Sequence, residues 1–481
     1  MSARATAGPK LTIQDIVQVH GLDYFMSQRR LPIEKLHALL DIAACQTGAF
    51  GTHLLRCEDC GYMEQRPNSC RNRHCPSCGG RRKAVWSEKV ERQLLPTAYM
   101  QVVFTLPHEL IPLLQRYARE LYDLLFRSAW GTLKTLAADP QHLGAKLGGM
   151  AVLHTWNQKL LEHPHLHFVL PAGGVSLDGQ SWVHCQRLKG KEGQPGGYFL
   201  FPFEVISKLF RGKFLAGLTA LVNAGKIDLS QLPQNWNTAA KFKARRNELY
   251  AQKWVVYQEP PPPDCEPAAL VKYLARYVAG MAISDARLVS SDDTQVTFKI
   301  KNRKDGGWNL VTLPVDEFLR RYLLHVLPAR MARVRYYGFW HSRCAAQLEQ
   351  AKVLCAASTD VPPELRTPAS AAKVAPAPAA VPTVLDRGRS CPHCQTGIME
   401  LVGMDRIWGW SGRGALLLPG RRLRRWSGPR VVCPGRVTTP ASPDPPAATG
   451  PPVAPDATLP TESPTLRVRM RALFPDWEPY S

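Results

Sequence analysis

The chain has 481 residues, enough for about two to four domains and a sizeable core. Lys and Arg number 61 against 39 Asp and Glu, and the resulting formal charge of +22 favours a polyanionic partner, either nucleic acid or an anionic membrane surface. No apolar run reaches the roughly 18 residues of a spanning helix, and MSARATAGPK has no apolar signal region, so neither a membrane anchor nor secretion is expected.

Two helical patterns run from Leu11 to Ala44, the second after Pro32, a good first-turn residue. The stretch that follows, HLLRCEDCGYMEQRPNSCRNRHCPSCGG, holds Cys57-x2-Cys60 and, 14 residues on, Cys75-x2-Cys78. Two C-x-x-C turns offer four thiolates, the number that closes a tetrahedral Zn2+ site, and so little apolar sequence lies between them that the metal would supply folding energy. Cys70 and His74 stand as reserve ligands, able to replace one of the four or to sit beside them. The basic side chains around this module, Arg71, Arg73, Arg81, Arg82 and Lys83, suit a DNA backbone or a solvated charged face. Of the 13 cysteines, Cys45, Cys185, Cys265, Cys344 and Cys355 stand alone and read as ordinary thiols.

A helix over 84–98 ends before Pro96, and Tyr99–Leu106 is rich in the β-branched and aromatic residues of a strand. A long apolar helical pattern covers 108–138, and glycines then break the chain. The next stretch, MAVLHTWNQKLLEHPHLHFVL, carries the chemistry. In HLHFVL, alternation turns Leu166, Phe168 and Leu170 to one face and sets His165 and His167 together on the other. Two imidazoles two residues apart on a strand suit a metal, although a surface strand with two histidines would look the same. MAVLHTW also alternates, and pairing it antiparallel with HLHFVL would bring His154 beside His165 and His167, giving one divalent ion three imidazoles and open positions for substrate. Gln158 and His163 are further candidates for the third ligand.

Glu204 to about Ala224 reads as an amphipathic helix and Trp254–Tyr257 as a strand. The basic KFKARR, with Phe242 and Trp254, suits a single strand with stacked bases or a solvated helix. A helix is predicted from about Pro267 to Ala279, where Tyr273 and Tyr277, at i and i+4, share a face flanked by Lys272 and Arg276. Such a pair is either core packing or a pair of phenol nucleophiles kept beside cations. RLVSS, QVTFKIK and WNLVTL form three strands joined by hairpin turns, Pro314–Leu327 is a helix, and RMARVRYYGFWHSR is a second basic and aromatic candidate for nucleic-acid contact. His325 and His341 read as structural. Residues 368–384 are an Ala/Pro/Val-rich linker, and Cys391-Pro-His-Cys394 looks like half of a zinc ribbon lacking its other half. Residues 436–465 are too rich in Pro, Thr and Ala to build a core.

SCRNRHCPSC (69–78), YMQVVFTLPHEL (99–110), HPHLHFVLPAGG (163–174), KYLARYVAGMAIS (272–284), RRYLLHVLP (320–328) and RYYGFW (335–340) together resemble the two-tyrosine HUH rolling-circle transposases of bacterial insertion sequences, with their N-terminal zinc-binding domain. The resemblance spans about residues 15–350. It implies an α+β fold whose HUH endonuclease domain is an antiparallel ferredoxin- or RRM-like sheet carrying helices. The expected division is 11–95 helical and zinc-binding, 96–350 catalytic, 356–390 linker, and 391–481 an incomplete ribbon and disordered basic tail. His165 and His167 match the HUH metal ligands, with His154 spaced as the third histidine of related relaxases. Tyr273 and Tyr277 match the catalytic tyrosines. Val278-Ala279-Gly280-Met281 departs from the more polar, basic run expected after the tyrosines.

The expected reaction is cleavage and rejoining of single-stranded DNA, or of hairpin insertion-sequence ends. A tyrosine attacks with the help of Mg2+ or Mn2+, forming a 5′-phosphotyrosine link, while Zn2+ serves structure. The expected setting is the bacterial cytoplasm, in association with DNA. The alternatives are a replication initiator or relaxase with the same chemistry, and a zinc-ribbon regulator in which the histidines and tyrosines merely pack.

Overall fold

The computed structural model describes residues 10–28, 31–187, 198–259, 281–302, 306–358 and 389–405. Tyr273, Tyr277, Lys272 and Arg276 fall outside these ranges, as do residues 406–481. The fold is α+β, and every strand pairing among the described residues is antiparallel.

The largest sheet has five strands in the order Val256–Glu259, Tyr99–Thr105, Glu162–Pro171, Gly148–Trp156, Val334–Gly338. The strand with the two histidines is therefore central, with a neighbour on each side, and its register is doubly specified. Its alternation splits the sheet as the sequence pattern requires. Leu166, Phe168 and Leu170 enter the main core beside Val102 and Phe104, under the long helices Ala118–Ala138 and Phe203–Asn223. On the opposite face, Tyr99, Met150, Val152 and Val169 pack with Phe339 and Trp340, and the helix Ala345–Ala357 adds Leu348, Ala351 and Cys355. The histidines share this second face at the end nearer the hairpin turn.

A second core joins the N-terminal helices to residues 281–326. The helices Ile13–Ser27 and Ile33–Ala43 contribute Ile13, Ile16, Val17, Leu39 and Ile42. They meet Val296 and Phe298 of the three-stranded sheet Leu288–Ser291, Gln295–Lys301, Trp308–Pro314, and Phe318, Leu319 and Tyr322 of the helix Val315–Leu324. The N-terminal helices thus share their core with residues close to the C-terminal end of the expected catalytic region.

Local expectations mostly hold, with shifted boundaries. The first helix starts with a capping box in which Thr12 and Asp15 satisfy each other's backbone N–H groups. The three strands of 286–313 form as read. The apolar run over 108–138 is not one helix. It breaks at Tyr117 (φ −123°, ψ 45°) into Ile111–Arg116 and Ala118–Ala138. Phe242 and Trp254 are buried among Phe210, Phe214 and Trp236, so neither offers a face for stacking bases. No described helix is long and apolar enough to cross a membrane.

Candidate active site

The hairpin Gly148–Trp156/Glu162–Pro171 turns at Asn157. The Asn157 side chain accepts from the backbone N–H groups of Lys159 and Leu161, and Leu160 takes a left-handed conformation (φ 61°). This turn sets the register that places His154 directly opposite His165, with His167 opposite Val152. One ring nitrogen from each of His154, His165 and His167 lies within 4.8 Å of the others. Ring centroids stand 5.4 Å apart for His154/His165, 4.6 Å for His154/His167 and 4.8 Å for His165/His167. The three rings meet edge to face or tilted rather than stacked.

His154 is buried and the other two are half-buried. Burial, and next the neighbouring His165, push the His167 imidazole down to about 3, so it is neutral at any ordinary pH, the form that binds a metal. His165 donates from Nδ1 to the His163 carbonyl at 2.6 Å, which leaves the Nε2 lone pair for an ion. The His167 Nδ1 meets the side-chain Nε2 of Gln101, on the adjacent strand Tyr99–Thr105. With the Gln101 amide oxygen turned toward this nitrogen, Nδ1–H would donate and Nε2 would likewise be free to ligate. Gln101 carries no signal of its own in the sequence, because only strand pairing brings it to His167. Trp156 stacks on His154 (4.8 Å, 20°), and the Arg333 guanidinium lies 4.7 Å over Trp156, so a cation sits one ring away from the cluster.

The other third-ligand candidates are engaged elsewhere. Gln158 accepts from the Lys301 N–H, and the His163 ring lies by those of His108 and His165 without joining the converging group. His325 is structural as read, donating from Nε2 to the Leu160 carbonyl and accepting at Nδ1 from the Thr155 hydroxyl, each at 3.1 Å.

The cysteines group differently from the expected pairing. Cys57 and Cys60 do not meet Cys75 and Cys78. Cys75 and Cys78 join Cys70 and Cys45 in one buried cluster, with Sγ separations of 3.4 Å for Cys45/Cys78 and 3.3 Å for Cys70/Cys78. Cys57 and Cys60 join Cys391 and Cys394 in another. Cys45 is therefore not an ordinary lone thiol, and the ribbon half at Cys391/Cys394 is not incomplete. The reason is spatial: Cys45 follows directly on the helix Ile33–Ala43, which the second core packs against the 70–78 loop. Of the two reserve ligands, Cys70 enters a cluster and His74 does not. The His74 backbone N–H donates to Asn72, its carbonyl accepts from the Tyr322 hydroxyl, and its ring accepts from Arg73.

Arg73 needs correction as a DNA contact. Its guanidinium points inward and donates to the main-chain carbonyls of Leu327, Pro328 and Met331, tying the cysteine loop to the segment after the helix Val315–Leu324. Arg71 is exposed, in a left-handed turn (φ 55°). Arg81 and Arg82 begin the helix Gly79–Glu91, but their side chains are outside the described part. In the second basic and aromatic run, Phe339 and Trp340 are core residues and Arg335 pairs with Asp123 while lying over Phe126.

A cysteine-clustered N-terminal module and a sheet bearing three converging histidines define a zinc-binding protein with a histidine group that could hold a further ion. Known proteins narrow the class. The family model described as "Putative transposase" (Y2_Tnp) matches residues 148–347, and the "Transposase zinc-binding domain" model (Zn_Tnp_IS91) matches 16–106. "Putative transposase y4qJ" of Sinorhizobium fredii (strain NBRC 101917 / NGR234) is 38% identical over 424 residues, covering 85% of this chain and 100% of its own. "Transposase for insertion sequence element IS801" of Pseudomonas savastanoi pv. phaseolicola is 25% identical over 325 residues, 66% of this chain and 72% of its own. No solved structure matches the chain. The chain belongs to this family of insertion-sequence transposases with an N-terminal zinc-binding domain.

Proposed function

We propose that this transposase is an HUH enzyme that cuts and rejoins single-stranded DNA at insertion-sequence ends through a 5′-phosphotyrosine intermediate, in the rolling-circle manner. The observation that carries the reading is the convergence of His154, His165 and His167 on two paired strands of a central antiparallel sheet. The three imidazoles fit a divalent ion by donor chemistry and spacing, and Mn2+ or Mg2+ bound there would polarise the scissile phosphate. The His163 carbonyl holds His165 in the ligating tautomer, Gln101 would do the same for His167 with its amide oxygen facing Nδ1, and Trp156 stacks on His154.

Tyr273 and Tyr277 are the proposed nucleophiles. The tyrosine oxygen bonds to phosphorus as the bond to the 3′ oxygen breaks, the phenol gives up its proton, and the leaving 3′ oxygen takes one up as a hydroxyl. Phosphodiester is exchanged for phosphodiester, so rejoining needs no nucleotide, and no G-x-x-x-x-G-K-[ST] loop occurs in the sequence. The course of the chain supports this assignment. Met281, four residues beyond Tyr277 in sequence, lines a small cavity with Trp156, the ring stacked on His154. Lys272, Arg276, Arg81, Arg82 and the exposed Arg71 are proposed backbone contacts.

The test is incubation of the full chain with end-labelled single-stranded insertion-sequence DNA and Mn2+. We expect a denaturation-resistant protein–DNA adduct, reduced by Tyr273→Phe or Tyr277→Phe and abolished by the double variant and by His165→Ala. Cleavage that survives in the double tyrosine variant would refute the nucleophile assignment. Activity retained by His165→Ala would refute the metal centre.

A further inference from the structure

Neither matched family range reaches Cys391 or Cys394, yet these residues are built into the N-terminal module. The two C-x-x-C turns close alike, with a left-handed residue four after the first cysteine donating back to its carbonyl. In the first, the Gly61 N–H donates to the Cys57 carbonyl at 3.1 Å with Gly61 left-handed (φ 71°), and the Cys60 N–H points at the Cys57 Sγ. In the second, the Gln395 N–H donates to the Cys391 carbonyl at 3.0 Å with Gln395 left-handed (φ 63°), and the His393 N–H points at the Cys391 Sγ. Gln395 is not glycine, so its strained backbone is held for a reason. The Gly397 N–H points at the Cys394 Sγ, and any side chain at Gly397 would collide with the Cys57 Sγ.

The turns face each other. Cys57 Sγ stands 3.7 Å from Cys394 Sγ, and Cys60 Sγ 3.7 Å from Cys391 Sγ. A tetrahedron with Zn–S bonds of about 2.3 Å has S···S edges of about 3.8 Å, whereas a disulfide needs about 2.05 Å. The strand Ile398–Asp405 pairs with Thr52–Cys57 from Thr52↔Asp405 to Cys57↔Met399, completing a four-stranded sheet with Met63–Pro67 and Arg389–Ser390. That sheet has almost no apolar support. Its core is Cys57, Cys391 and Met399, with Leu55 and Cys394 against them, while Met63, Ile398, Leu401 and Val402 are exposed. So small a core cannot hold two segments separated by 331 residues, and a metal can.

We infer that Cys57, Cys60, Cys391 and Cys394 form a second structural zinc site, separate from Cys45/Cys70/Cys75/Cys78. This site clasps the segment beyond the Ala/Pro-rich linker onto the N-terminal module. The helix Ala345–Ala357, which precedes the linker in sequence, packs on the five-stranded sheet.

Two measurements test the clasp. Full-length Cys391→Ser/Cys394→Ser should bind one zinc equivalent fewer than the parent by elemental analysis, and unchanged stoichiometry overturns the proposal. In the wild-type background, a site-specific protease sequence is placed within 359–388 and cut. The C-terminal piece should stay with the N-terminal piece on a sizing column in zinc, resist release by reductant, and come free with a chelator. Separation in zinc, release by reductant alone, or retention in chelator each overturns it. Neither measurement involves DNA cleavage, so the outcome is independent of the proposed tyrosine chemistry.

Discussion

The two kinds of metal-ligand cluster are made in opposite ways. The three histidines come from one hairpin, and once the turn at Asn157 sets the register they are placed by strand geometry and supported by a close-packed core underneath. The ribbon thiols come from turns more than 300 residues apart, 337 for Cys57 and Cys394, and rest on a three-residue core. A preformed ligand set on a rigid strand can bind and release an ion without refolding, which suits catalysis. Where nothing else holds the segments together, metal affinity and folding are a single equilibrium.

The largest expected effect is on the buried cluster. Cys78→Ser removes a ligand shared by short contacts to Cys45 and Cys70 at the edge of the second core. Structural zinc is worth on the order of 10 kcal/mol in small modules, so loss of a ligand should unfold the N-terminal helices and lower the denaturant midpoint far more than Cys391→Ser does. Equal midpoints for the two variants would erase the difference between a zinc site inside a core and one outside it. His165→Ala, in contrast, should leave the midpoint close to that of the wild type.

A second expectation concerns pH. Burial holds His325 down at about 4, against an ordinary 6.5, and the Arg333 and Lys35 charges add to this while the Leu160 carbonyl opposes it. The unfolded chain takes up a proton below about 6.5 and the folded chain does not until about 4. Stability is therefore complete above 6.5 and falls between these values, by up to roughly 3 kcal/mol. His325→Gln, which keeps a donor and an acceptor, should flatten this stretch of the urea-midpoint profile. An unchanged slope would show that another group governs it.

Gln101 sharpens the contrast from the histidine side. Removing a partner that orients a ligating histidine typically weakens metal binding about 10–100-fold. Gln101→Leu should weaken Mn2+ binding by that order in calorimetry with the thermal midpoint nearly unchanged, and Gln101→Glu should recover much of it. A Leu variant that binds Mn2+ normally would reduce Gln101 to packing. The smallest effect separates two neighbouring arginines. Arg71→Ala should lower the slope of log affinity against log salt for DNA by about 1. Arg73→Ala should leave that slope alone and cost about 1–3 kcal/mol of stability through three stranded carbonyls.

The sequence by itself determined what depends on local periodicity. The alternation of HLHFVL was enough to send Leu166 and Phe168 inward and set His165 beside His167, and the alternation of MAVLHTW was enough to find His154. The short C-x-x-C spacings announced metal sites, and the matched segments announced the family. Tertiary structure decided which cysteines share an ion, because a C-x-x-C turn supplies half a site and nothing local selects the other half. It decided that Arg73 faces inward and Gln101 faces His167, since charge and strand propensity say nothing about which backbone will pass alongside. Contacts between neighbours in sequence can be read from a linear pattern. Contacts that close hundreds of residues are chosen by what the packed whole can bury and ligate at once.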